Sequence, residues 1–153
     1  MNALVHARRF MYVRERSGSK DNPYVVAWLE DCGISDAHDE VPWCGALARF
    51  IIGRVLGLPV PAKPARARSW LLAGRPVELD HAQQGDIVVF SRGGAEVQPG
   101  PEVLDAPGHV AFFVSVTADS VRVLGGNQGN QVCEQVFPRS RVLGARRLAE
   151  IQQ

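Results

Sequence analysis

The chain is expected to fold as an α+β domain, helices first and an antiparallel sheet after them. Two observations carry that expectation. Up to Gly74 the apolar residues recur at helical spacing, clearest in Leu47, Ala48, Ile51, Ile52, Val55 and Leu56, the i, i+3, i+4, i+7 pattern of one buried face. After Gly74 the period becomes that of strands, in short runs separated by turn residues. The length of 153 residues suits one domain, 1–153, with residues 1–16 as a peripheral helix, because a chain of that size fills a single core.

Taken in order, residues 3–16 read as a loosely patterned helix, followed by a loop over 17–21. Asn22 can cap a second helix with Pro23 in its first turn; Val25, Trp28, Leu29 and Cys32 form its stripe and Gly33 ends it. A polar, acidic loop over 33–41 leads to the third helix, which starts after Pro42 and stops at Gly57. Pro59, Pro61 and Pro64 forbid regular structure in the connector, and residues 65–73 form a short helix ended by Gly74. Strands follow at 87–90, 109–116, 120–124, 132–137 and 142–146. A Gly/Pro-rich loop spans 93–107, and Ala118-Asp119 reads as a hairpin turn.

The formal net charge of +1 offers nothing for a nucleic acid, and Lys63, Arg66 and Arg68 read as a solvated basic rim. Cys32, Cys44 and Cys133 are an odd set without close spacing, so no disulfide framework is expected and synthesis belongs in a reducing compartment. The N-terminal stretch lacks the apolar run of a secretory signal, and no segment is long enough to span a bilayer. His81, Asp86, Cys44 and His109 include metal-ligand types but not metal-ligand spacing, so neither a metal nor another cofactor is expected.

The chemistry-bearing candidates begin with Cys44 in the first turn of the third helix. There, unpaired N–H groups and the positive end of the helix dipole favour a thiolate. A thiolate nucleophile needs a base, and His109, behind Gly108 at the mouth of a strong strand, is the histidine best placed to be one. A third group must hold the imidazole's tautomer. A two-residue turn at Ala118-Asp119 would set Gln128 opposite His109, whereas a turn shifted by one would set Asn127 there.

Trp43-Cys44-Gly45-Ala46, Gly85-Asp86-Ile87-Val88-Val89-Phe90, Gly108-His109-Val110 and Gly125-Gly126-Asn127-Gln128, in this order, resemble the NlpC and CHAP papain-like cell-wall hydrolases. Asp39-Glu40-Val41-Pro42-Trp43-Cys44 is similar to the compact bacterial and phage branch in which Asp-Glu-Pro-Trp-Cys precedes the helix, with Val41 interposed here. Asp21-Asn22-Pro23 and Ala67-Arg68-Ser69-Trp70 also look like that branch, so the resemblance runs from about residue 15 onward.

The resemblance implies a papain-like fold and hydrolysis of a peptidoglycan amide through a thioester. Cys44 would be the nucleophile, His109 the base and later acid, Asn127 the orienting group with Gln128 as its rival, and the Cys44 N–H an oxyanion donor. Asp39 and Glu40 would meet the free amine of a stem peptide or serve the helix dipole. Trp43, Trp70 and Gln128 would line the groove, unless the tryptophans belong to the core. The implied partners are the stem peptide and a delivery or immunity protein, with a monomer reaching the wall through lysis, a holin or a secretion apparatus. A silent papain-like plug of a phage tail or secretion machine, and a thiol acyltransferase, are the alternatives.

Overall fold

The computed structural model describes residues 2–15, 21–34, 42–92 and 99–148. Three helices, α1 (Ala3–Ala7), α2 (Pro23–Asp31) and α3 (Cys44–Arg49), precede six strands. These are β1 (Arg75–Val77), β2 (Ile87–Ser91), β3 (Gly108–Val116), β4 (Ser120–Gln128), β5 (Gln131–Pro138) and β6 (Val142–Arg147). They form one antiparallel sheet in the order β1-β6-β2-β3-β4-β5. The α+β expectation therefore holds.

Strand alternation divides the apolar residues between two faces. Ile87, Val89, Val110, Phe112, Leu124 and Val132 pack under the helices with Leu4, Trp28, Trp43, Leu47 and Ile51. Val88, Phe90, Ala111, Phe113, Val121, Val123 and Phe137 form a second cluster. β2 is buried along its whole length, as a central strand with both faces covered must be.

The helices follow their caps. Asn22 accepts the Tyr24 N–H at 2.9 Å through its side chain, and Pro23 occupies the first turn of α2. The first helix is shorter than expected. After a 3₁₀ turn over Arg8–Phe10, Tyr12 takes φ 69°, which no α-helix continues through. Residues 12–15 instead run along β5: Tyr12 N–H donates to Val132 O (2.8 Å), Val132 N–H to Val13 O (2.7 Å) and Glu15 N–H to Asn130 O (2.8 Å).

The third helix has the expected extent but changes type, continuing from α3 as a π-helical stretch over Phe50–Val55. Leu56 N–H reaches back five residues to Ile51 O at 3.0 Å, and Gly57, at φ 67°, ends the run. Residues 65–73 hold a 3₁₀ helix, Ala67–Leu72, in place of the expected helix. The basic rim is also corrected: Lys63 and Arg66 are exposed, but Arg68 is fully buried.

β1 had no sequence signal, being three residues long with Pro76 at its centre; it pairs with β6 at the border of the sheet, where a missing N–H is tolerated. The Gly85-Asp86 pair has a structural role. Asp86 accepts from Arg147 Nε and Nη2 at 3.0 and 2.8 Å and from the Gln83 N–H at 2.8 Å, tying the turn before β2 to the end of β6.

Candidate active site

Cys44 is the first residue of α3, so its N–H has no intrahelical acceptor. Gly45 behind it lets the connector lie against the helix, because a Cβ there would run into the Pro64 carbonyl. Ser69 Oγ, 2.7 Å from the carbonyls of Lys63 and Arg66, and the Trp70 indole N–H, donating to Pro64 O at 2.9 Å, hold that connector in place.

His109 and its partner arrive on the β3–β4 hairpin. Thr117 N–H donates to Ser120 O at 2.8 Å, closing the two-residue turn, and Val116↔Val121 and Ser115↔Arg122 keep its register. A bulge between Phe113 and Ser115 then moves the pairing by one, to Phe113↔Val123 and Phe112↔Leu124. β4 has its own irregularity between Gly125 and Gln128, where Asn127 adopts φ 58°, a conformation asparagine tolerates better than most residues.

Beyond these two shifts the imidazole meets Gln128: His109 Nε2 lies 2.8 Å from Gln128 Oε1. Asn127, expected in that role, serves instead as the left-handed residue of the β4 irregularity. Gln128 Nε2 donates to Cys133 O at 2.6 Å, and Cys133 Sγ donates to Gln128 O at 3.2 Å. With its NH₂ committed there, the amide presents an acceptor to the ring, so His109 Nε2 carries a proton and Nδ1 is the nitrogen left for the thiol. The histidine ring also packs against Phe90 and Phe137, at centroid distances of 6.1 and 5.4 Å, and those two rings lie 4.8 Å from each other.

The two glycines before Asn127 are required by space. A Cβ on Gly125 would lie 2.7 Å from Gln128 Oε1, and one on Gly126 would lie 2.6 Å from the Trp43 ring. Both close approaches belong to the site or to its floor.

Cys44 is 4% exposed, His109 2% and Gln128 2%. Burial acts most strongly on the Cys44 thiol and disfavours its charge. The charge of His109, a hydrogen bond from its ring, the N–H of Val110 and the charge of Arg92 together outweigh burial and bring the thiol below its usual range. Phe113 N–H donates to Asp86 O, so in the alternating ladder the Val110 N–H turns away from β2 and is free for the sulfur. By contrast, burial pushes the Cys32 thiol up to about 11, with Asp31 adding to the rise and Arg49 opposing it.

The chain matches no family model and no curated protein. Among the described residues, no three His, Cys, Asp or Glu side chains converge as a ligand set for a metal.

The remaining sequence candidates separate from this cluster. Trp43 and Trp70 belong to the core and are fully buried: Trp43 packs tilted against Trp28 at 6.0 Å and donates its indole N–H to Glu15 Oε1 at 2.8 Å, while Trp70 donates to Pro64 O. Asp39 and Glu40 lie outside the described residues. A cleft of about 500 Å³ lies elsewhere, lined by Leu71, Leu72, Pro76, Pro101, Glu102 and Leu143 among others, and includes none of the three site residues. Val110, Arg92, Cys133 and Glu15 had no sequence signal, since each acts through a backbone group or a partner remote in sequence.

The ultraviolet thiolate absorbance of the protein, minus that of Cys44→Ala, should titrate below the ordinary thiol range, with thiolate present above the midpoint and lost as pH falls through it. Because the folded value is the lowered one, the contribution of this ionisation to stability is complete above the unfolded thiol's pKa and declines as pH falls through the folded one. A midpoint at or above that of a free cysteine would contradict the arrangement.

Proposed function

We propose that the chain is a papain-like cysteine hydrolase that cleaves an amide bond in the peptide part of peptidoglycan. The observation that carries the reading is the connected series Cys44, His109 and Gln128: a thiol with a depressed pKa, an imidazole beside it, and an amide that fixes the imidazole's tautomer. The substrate class is supported by the ordered motifs around Cys44, His109 and Gln128 that resemble NlpC and CHAP enzymes.

The chemistry follows from the protonation states. The Cys44 thiolate attacks the amide carbon, forming a C–S bond, while the carbonyl oxygen becomes an oxyanion within reach of the Cys44 N–H. His109, protonated at Nδ1, passes that proton to the departing nitrogen as the C–N bond breaks, leaving a thioester and a free amine. Neutral His109 then takes a proton from water as the resulting hydroxide attacks the thioester carbon and displaces sulfur; the carboxylic acid formed gives its proton to the free amine or to solvent, and the thiolate–imidazolium pair is restored. Gln128 keeps the ring in the same orientation through both halves.

The low exposure of Cys44 and His109 favours one rival, a catalytically silent domain that keeps the papain-like shape for binding. Incubation with defined muropeptides separates the two. Hydrolysis is expected to yield one new amine and one new carboxylate, read by mass spectrometry. Retention of the muropeptide without any product would replace the hydrolase with the binding domain.

A further inference from the structure

Arg68 lies in the 3₁₀ helix between the connector and β1, and none of its surface is exposed. A buried cation is ordinarily matched by a carboxylate. Among the described residues no carboxylate comes within ion-pairing distance of Arg68. Its donors go instead to main-chain carbonyls of one segment. Nε donates to Pro107 O at 2.9 Å, and Nη1 to Pro99 O and Gly100 O at 3.0 and 2.7 Å, while Nη2 is buried without a partner.

The three bonds join the two ends of residues 99–107, with Val103 O between them 3.4 Å from Nη1, and this stretch runs directly into Gly108 and His109. The segment is poorly equipped to hold itself. Pro99, Pro101 and Pro107 have no N–H to give, and its internal backbone bonds, Val103 N–H to Gly100 O and Ala106 N–H to Val103 O, are long at 3.2 and 3.4 Å. The Arg68 stem also sets the approach to the site from below: a Cβ on Gly108 would lie 2.8 Å from Arg68 Cγ.

We propose that Arg68 is a positioning residue, its guanidinium clamping the carbonyls of Pro99, Gly100 and Pro107 so that His109 enters the site beside Cys44. The inference rests on the thiol–imidazole pair and not on the identity of the substrate. The residue type follows from the task, since a planar fork donates in two directions at once, whereas the single ammonium of lysine reaches one end of the segment.

The test is the thiolate titration of Cys44 in Arg68→Lys and Arg68→Met, each measured against its own Cys44→Ala counterpart, with folding checked by circular dichroism. Arg68→Lys carries the test should Arg68→Met fail to fold. The charged groups acting on Cys44 are His109 on β3 and Arg92 at the end of β2, and neither is altered. Loss of the clamp should raise the midpoint by about 1 pH unit, the scale on which a displaced charge partner moves a titration. With a cleavable substrate, kcat should fall about 10²-fold with KM nearly unchanged, as expected for a misplaced acid–base group. A folded variant whose midpoint equals that of the parent overturns the inference. A raised midpoint in a protein that cleaves no muropeptide upholds it and rejects only the hydrolase.

Discussion

Gln128→Leu is expected to lower kcat/KM for amide hydrolysis by about 10²- to 10⁴-fold, and Cys44→Ala to abolish it. Asn127→Gly should leave the rate within about twofold, because glycine accepts the same left-handed backbone. The ordering comes from the hairpin. Gln128 is the residue whose carbonyl oxygen lies 2.8 Å from His109 Nε2, and its NH₂ is anchored on Cys133 O. Leucine fills much of the same space and removes the acceptor, so the ring loses both its tautomer and its orientation. Glycine at 127 keeps the φ of 58° that the β4 irregularity needs and deletes only the amide. Steady-state kinetics on one defined muropeptide decides the matter, and a larger loss in Asn127→Gly than in Gln128→Leu would return the orienting role to Asn127.

Asp86→Ala is expected to destabilise the fold by about 3 kcal/mol, the low end for breaking a buried ion pair. The Asp86 side chain is 6% exposed and Arg147's 13%, so solvent screens little of the interaction. Alanine removes a bidentate acceptor from the end of β6 and strips the Gln83 N–H of its partner at the entry to β2. Asp86→Asn, which keeps an oxygen for that N–H, should fall between the two proteins. Denaturant midpoints at constant slope measure both. An unchanged midpoint in Asp86→Ala would show that the pair contributes no net stability.

How much of this was legible in the sequence depended on whether the signal was periodic or local. The stripe over Leu47, Ile51 and Ile52 announced a buried helix, and short apolar runs bounded by turn residues announced β2, β3 and β4. Periodicity does not distinguish an α-helix from its π continuation over Phe50–Val55, because both bury the same side chains. The candidate site was legible at Cys44 and His109, which stand at element ends. The choice between Asn127 and Gln128 was not, since it turns on two register shifts that no run of apolar residues records. Gly125-Gly126-Asn127 did carry a trace of the answer, being two residues without side chains followed by one that accepts a left-handed backbone. Arg68 looks solvated for a physical reason: it stands among other cations, and only the fold shows that carbonyls remote from it in sequence, those of Pro99, Gly100 and Pro107, have taken its donors.

Residues 12–15 have a consequence beyond placing Glu15 under Trp43. By bonding to Asn130 and Val132 they occupy the outer side of β5 at its start, where an open strand would otherwise offer a template for another molecule. At the opposite border lies three-residue β1, where Pro76 interrupts the row of donors. Each border of the sheet thus carries a device that shortens the row it offers to another copy, a short arm at one and an imino acid at the other.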